Sequence, residues 1–233
     1  MAFEKISTPS LKDVFVREVE NSIISGEFPI GAKLPTEREF SQQMGVSLTV
    51  VKLGIAELEN KGFIEVIPRR GLYVADFPAK GSIDTLASII RYNGGNLSSH
   101  EICSFTELRR TLDQLAYGLA IERAPDEKIR GLGRIVKSVH KAATAAELAE
   151  EIITFYHSVY ILSDNTLLPL FYYSTRVPQL EIYARFMEKN GEDFLRKRID
   201  ELYAALSARD KEETSRLIDY YNALFIEGDT AII

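Results

Sequence analysis

Residues 31–74 read GAKLPTEREFSQQMGVSLTVVKLGIAELENKGFIEVIPRRGLYV. Pro35 confines Leu34 to extended geometry, so a helix can begin only after it. Thr36 can cap that helix, and Glu39 stands three residues on, the spacing of a capping box. Phe40 and Met44 form an i, i+4 apolar stripe. Gly45 can take the positive φ that ends the helix, and Val46 packs in the turn. Ser47 then caps a second helix, whose core face is Val51, Ile55 and Leu58. Gly62 ends it. Residues 63–67 and 72–75 have strand composition, with Pro68, Arg69, Arg70 and Gly71 as the exposed turn between them. Two short helices, a tight turn and a basic-tipped hairpin are the layout of a winged helix-turn-helix, which presents its second helix to the DNA major groove.

Working outward, Leu11–Ser25 places Val14, Val16, Val19, Ile23 and Ile24 among charges on a helical period, and Gly26 stops it. This predicts a support helix for the same small domain. Beyond it, Phe77-Pro78-Ala79-Lys80-Gly81-Ser82 has linker composition. From residue 83 onward the periods are helical. Ile83–Arg91 is a short helix, ended at Asn93-Gly94-Gly95. Ser98 or Ser99 opens the next, in which Phe105, Leu108, Leu112, Leu115 and Leu119 step by three and four, the strongest amphipathic pattern in the chain. Further helices follow Ile129–Val139 and Leu148–Val159. A long apolar segment, Leu167–Phe186, carries Pro178 as an expected kink. The last two helices are marked by Leu195–Leu206 and by Thr214–Phe225. The fold class expected is mostly α. A winged helix-turn-helix (residues 1–77) and a linker (78–82) precede an all-α domain of roughly seven helices (83–233).

Composition bounds the chemistry. The chain has 233 residues, 45% of them hydrophobic and 27% charged, enough for a sizeable core on a polar surface. No apolar run approaches the roughly 18 residues of a membrane span. The opening Met-Ala-Phe-Glu-Lys is not a signal peptide, because no long apolar stretch follows, so a cytoplasmic location and no membrane partner are expected. The single cysteine, Cys103, excludes an internal disulfide and is expected to be a buried thiol. No Gly-rich phosphate loop, nucleophile elbow or His-Glu-x-x-His motif is present, so no catalytic residue and no cofactor are expected. The net charge is −6, and residues 1–78 carry 9 basic and 11 acidic side chains. DNA-binding domains are commonly basic. A DNA-binding role therefore depends on gathering Arg38, Lys52, Arg69 and Arg70 on one face, with strongly salt-dependent affinity.

The residues Ile24-Ser25-Gly26, Pro29-Ile30-Gly31, Lys33 to Glu39, Val46-Ser47, Leu58, Lys61 to Ile64 and Gly71 to Val74 resemble the GntR family of bacterial transcription regulators. The resemblance implies a double-stranded, palindromic DNA operator, with Arg38 on phosphate or base beside Thr36. It puts the helix start Ser47, Leu48, Thr49, Val50 and Lys52 in the major groove, and the wing tip Arg69, Arg70 and Gly71 at the minor groove. The chain departs from the family in having Leu48 and Lys52 where arginine is usual, and Arg69 where glycine is frequent. Leucine cannot grip guanine and lysine acts as a point charge, so a different base code is expected. One recognition helix reads few bases, and a homodimer on two half-sites is expected.

The helical part resembles the ligand-sensing domain of the FadR branch of that family. The matching residues are Phe105 to Asp113 with Ala120 to Ala124, Phe155-Tyr156-His157 with Ser163-Asp164-Asn165, and Leu202 to Leu206 with Asp210. Many members hold a divalent metal through one Asp and three His. The matching positions here are Ile153, His157, Ile199 and Tyr221, and one donor cannot hold a metal, so none is expected. The resemblance points Arg109 into the ligand cavity. A buried guanidinium must be paired, and a carboxylate effector would pair it bidentately; an internal salt bridge to Asp113 or Glu107 is the alternative. The expected effector is thus a small organic acid or an acyl-coenzyme A, held by Arg109 with His157, Tyr221, Asn165 and Tyr173 nearby. The metal-free members include acyl-coenzyme A sensors, but Tyr221 or its neighbour falls where they have a small residue. Two other readings stay open: a DNA-binding repressor or architectural protein without effector, and an all-helical enzyme fused to a winged helix.

Overall fold

A computed structural model describes residues 10–93 and 97–233, which divide into two compact units at residues 95 and 96. Gly94 and Gly95, expected to end a helix, and the opening Met-Ala-Phe-Glu-Lys lie outside the described residues.

The first unit opens with α1 (Leu11–Ile24), started by a reciprocal capping box between Ser10 and Asp13. Next come α2 (Glu37–Met44) and α3 (Leu48–Asn60). The hairpin β1 (Ile64–Ile67) and β2 (Gly71–Val74) is antiparallel, with Ile64 opposite Val74 and Ile67 opposite Gly71. Residues 31–34 add an edge to this hairpin that the sequence reading missed. The Leu34 amide donates to Leu72 at 2.9 Å, the Gly31 amide to Val74 at 2.9 Å, and Lys33 bridges Tyr73. The core is Phe15, Val16, Val19 and Ile23 of α1 against Phe40, Val51, Ile55, Leu58, Phe63, Leu72 and Val74. Phe15 meets Phe40 edge-on at 5.5 Å. Gly54 permits this closeness of α1 and α3, since a Cβ there would overlap the Phe15 ring.

The linker expectation is corrected. Residues 77–80 form a short helix, α4 (Phe77–Lys80), and α5 (Ile83–Tyr92) belongs to the first unit rather than opening the helical domain. The reason is polar. Glu20 of α1 is buried, accepting from Lys61 Nζ at 2.8 Å and from Ser88 Oγ of α5 at 2.9 Å, while Thr85 of α5 hydrogen-bonds the Lys61 carbonyl.

The second unit contains, among the described residues, α6 (Ser99–Arg123), α7 (Asp126–Gly131), α8 (Gly133–Lys141), α9 (Ala145–Leu162), α10 (Leu168–Ser174), α11 (Arg176–Asn190), α12 (Asp193–Ser207) and α13 (Lys211–Ile226). α6 packs on α9 and α13, and α9 lies against α8, α10 and α11. The expected single helix over Leu167–Phe186 is instead two. The break falls at Thr175, and Pro178 sits in the first turn of α11, where its missing N–H costs nothing. Cys103 is only half-buried and free. No helix among the described residues is long and apolar enough to cross a membrane.

Candidate DNA interface and effector site

The helix-turn-helix is set by caps. Thr36 Oγ1 accepts from the Glu39 amide at 3.3 Å while Glu39 Oε2 accepts from the Thr36 amide at 2.7 Å. Gly45 takes φ 65°, and Ser47 Oγ accepts from the Val50 amide at 3.3 Å. These bonds orient the outward side of α3. Leu48, Thr49 and Lys52 are exposed on it, but Val50 is half-buried against the core, so its side chain does not face outward as expected. Leu53 takes that place. It is 56% exposed, one turn beyond Thr49, and the sequence reading overlooked it although it is out of phase with Val51, Ile55 and Leu58.

The wing brings a second set of groups to the start of α2. Thr36, Arg38, Arg69, Arg70 and Gly71 line one open groove with Lys33. Arg38, Arg69 and Arg70 are all exposed. The tip closes through the Arg70 amide on the Ile67 carbonyl at 3.0 Å. Arg69 adopts φ 65°, the left-handed region that glycine occupies without strain. Gly71, at φ 113°, has Lys33 Cε within 3.3 Å of where a Cβ would stand. Lys52 lies 4.0 Å from Glu37, an exposed pair of little energetic weight, so its ammonium is available to another anion. Lys33, Arg38, Lys52, Arg69 and Arg70, with the capped start of α3, thus offer donors suited to a phosphate backbone.

In the second unit the amphipathic stripe of α6 does not form the core. Leu108 and Leu115 are 46% and 48% exposed, and Phe105, Leu112 and Leu119 are half-buried. The buried face is Ile102, Thr106, Arg109, Asp113, Ala116, Tyr117 and Ala120. Arg109 is therefore inside, as expected. Its Nε stands 3.5 Å from Asp113 Oδ2, and its terminal nitrogens point to Gln179 Oε1 and the Tyr172 hydroxyl, each at 3.4 Å. Its guanidinium lies over Tyr156 at 4.5 Å and near the Tyr172 and Tyr183 rings. Asp113, the internal partner foreseen as one alternative, accepts a hydrogen bond from the Tyr160 hydroxyl at 2.7 Å. Burial pushes the Tyr117, Tyr156, Tyr160 and Tyr172 hydroxyls well up, so all four are neutral.

The other expected effector residues divide. Tyr221 is buried, and its hydroxyl donates to Glu201 Oε2 at 2.6 Å. His157 is half-buried, stacked on Tyr172 at 6.2 Å. Asn165 is a turn residue: its Oδ1 accepts from the Leu167 and Leu168 amides at 3.0 and 3.1 Å and is used up there. Tyr173 is 60% exposed, on the outer side of α10. Neither of the last two is among the groups around Arg109. Arg198 of α12 was missed. It is fully buried, 5.1 Å from the Tyr156 ring and 3.9 Å from Asp113. Its signal was a charge in phase with Leu195, Ile199, Leu202 and Leu206. The positions matching metal ligands, Ile153 and Ile199, are buried hydrocarbon, and Tyr221 is engaged with Glu201, so the residues do not fit a metal.

Residues 11–74 match the family described as bacterial regulatory proteins, gntR family, and residues 104–222 match the FCD domain. The chain is 27% identical over 154 residues to an uncharacterized HTH-type transcriptional regulator of Mycobacterium tuberculosis, covering 66% of this chain and 62% of that protein. It is 26% identical over 152 residues to a fatty acid metabolism regulator protein of a Shewanella species, covering 64% and 60%. The chain thus spans less than two thirds of the length of these relatives. The fold is shared with Lar of Listeria monocytogenes, at TM-score 0.60 and 13% identity over 94% of this chain and 95% of that one. With the helix-turn-helix and wing ahead of a helical unit matched over 104–222, the chain belongs to the gntR family of bacterial regulatory proteins and carries an FCD domain.

Proposed function

We propose that the protein is a sequence-specific, DNA-binding transcription regulator that works as a homodimer in the cytoplasm and answers to a small carboxylate or acyl-type effector in its helical unit. The observation that carries the DNA reading is the exposure of Thr49, Lys52 and Leu53 on α3 together with Arg38, Arg69 and Arg70 around the wing. Leu48 and Leu53 offer apolar contact, such as to a thymine methyl, and Lys52 a point charge. Phosphate contacts from Arg38 and the wing would position the helix, and they account for affinity in a chain of net charge −6.

The effector reading is supported by the buried Arg109, whose polar contacts at 3.4–3.5 Å are all long for hydrogen bonds. The homodimer reading is supported by the half-site argument and by the outward-facing leucines of α6, Leu108 and Leu115. Operator affinity measured with and without organic acids and acyl-coenzyme A compounds tests the sensor part. Reciprocity requires that an effector which changes operator affinity bind differently to the DNA-bound and free protein. An operator affinity unmoved by every such compound would leave a repressor without effector.

A further inference from the structure

α3 has two chemically distinct sides. Val51, Gly54, Ile55 and Leu58 are buried in the first unit, while Leu48, Thr49, Lys52, Leu53 and Ala56 are exposed. The exposed set runs i, i+1, i+4, i+5 and i+8, so it forms one stripe about two turns long. Leu48 and Leu53 are large hydrocarbons left in solvent on that stripe. Among its described residues Lys52 is the one charged donor. Arginine for guanine, asparagine or glutamine for adenine and a carboxylate for cytosine are the usual readers of base edges, and the stripe holds none of them.

Neighbouring polar groups do not supply them. Ser47 Oγ is spent on the Val50 amide, and Glu59 Oε1 accepts from the Val66 amide at 3.4 Å. Asn60 closes α3, roughly 18 Å along the axis from Leu48. Gln42 and Gln43 are exposed on α2, the helix that crosses the backbone in this motif. The surroundings of the stripe select its occupant. Lys52 Nζ stands 4.0 Å from Glu37, and Glu37 lines the groove that holds Lys33, Arg38, Arg69 and Arg70. Hydrocarbon and cations therefore share one side of the first unit. A DNA duplex matches that combination, since its phosphates are anionic and its major groove offers one hydrocarbon group, the C5 methyl of thymine.

We propose that α3 reads its half-site through thymine methyl groups, and that Leu48 and Leu53 are the residues that set this specificity. This deepens the DNA reading above and rests on it: the operator is A·T-rich where α3 lies. Leu48 and Leu53 are about 7.5 Å apart along the helix axis, close to two base-pair steps of ~3.4 Å, so their thymines stand about two steps apart in each half-site. Thr49 lies beside Leu48 on the stripe and adds a third methyl, and Lys52 admits a guanine next to Leu53. Contacts of this kind discriminate less per base than a two-bond grip, so the cations around the stripe hold the duplex while the leucines choose the register.

The test starts from the palindrome that the full chain enriches from genomic fragments. Each thymine of a half-site is replaced in turn by deoxyuridine, which removes the C5 methyl and keeps the base pair. Affinity is read by fluorescence anisotropy at fixed salt. At least two thymines should each cost about fourfold on replacement, the equivalent of one methyl returned to water. In Leu53→Ala one of those losses should shrink below about twofold while the other persists, and Leu48→Ala should show the reverse pattern. Both side chains are exposed, so the variants should melt with the parent, and a general weakening of the fold would not cancel one thymine at a time. A half-site rich in G·C under α3, uracil tolerated at every position, or leucine variants that lose the same factor on thymine and uracil operators would each overturn the proposal. In those cases an enriched palindrome still upholds the regulator reading. If no fragment is enriched, both fall. If the leucine variants turn a dimer into a monomer and uracil is tolerated throughout, the stripe is a contact between copies and the proposal is wrong.

Discussion

Arg109 and Asp113 stand one turn apart on the buried face of α6, with Nε 3.5 Å from Oδ2, and neither completes a hydrogen bond with the other at those atoms. An ion pair this loose in an interior is held by its surroundings: Tyr160 donates to Asp113, and Arg109 reaches Gln179 and Tyr172. A core built for stability alone would place hydrocarbon there.

Asp113→Asn should therefore be severe. It keeps the shape and leaves Arg109 and Arg198 buried with no anion. A loss of about 3–5 kcal/mol is expected from breaking a buried pair on one side. Urea unfolding followed by circular dichroism reads it; a loss below about 1 kcal/mol would show that water or a movement of the arginines compensates.

Arg69→Gly should separate stability from function. At φ 65° an arginine carries strain of about 1–2 kcal/mol that glycine does not, part of which glycine's greater freedom in the unfolded chain takes back. The variant should be as stable as the parent or slightly more so. If the Arg69 guanidinium meets phosphate, its operator binding should weaken and the salt dependence should drop by about one in slope. Unchanged DNA affinity would remove Arg69 from the interface.

The acid limb of stability should pass through Glu57. Lys12 and then Lys61 hydrogen-bond its carboxylate and hold it below its ordinary value of 4.5. A depressed carboxylate contributes stability above that value and loses it as pH falls through the folded one. Lys61, raised above 10.5 by Glu20 and Glu57 against the cost of burial, contributes below 10.5 and loses it as pH rises further. Glu57→Gln should flatten the loss of stability of the first unit on acidification while lowering its plateau near neutrality. An unchanged acid limb would place the titrating carboxylate elsewhere.

Much of the first unit was legible because local chemistry fixes it. Thr36 with Glu39 and Ser47 with Val50 are caps within three residues, and Gly45 and Gly62 end helices by taking positive φ. The edge at residues 31–34 was not legible, since its partners, Leu72 to Val74, lie far along the chain and it carries no strand pattern of its own. In the second unit, helical period located the segments but assigned α6 the wrong inner face. Periodicity reports where hydrocarbon lies, not what covers it, and here the face turned to the core holds Arg109 and Asp113 while Leu108 and Leu115 face out. Arg198 escaped for the same reason: a charge among core leucines reads as an exception until its burial is seen. Asn165 and Tyr173 were placed near Arg109 by resemblance, and local geometry puts both elsewhere.

The central claim is that α3 and the wing read a particular DNA sequence. Selection of genomic fragments by the purified chain at low salt, followed by sequencing, tests it most directly. The account predicts enrichment of a short palindrome whose binding weakens in Lys52→Ala and Arg38→Ala, with each loss lowering the salt slope by about one. Fragments no more enriched than random DNA, or a palindrome bound equally by those variants, would contradict it.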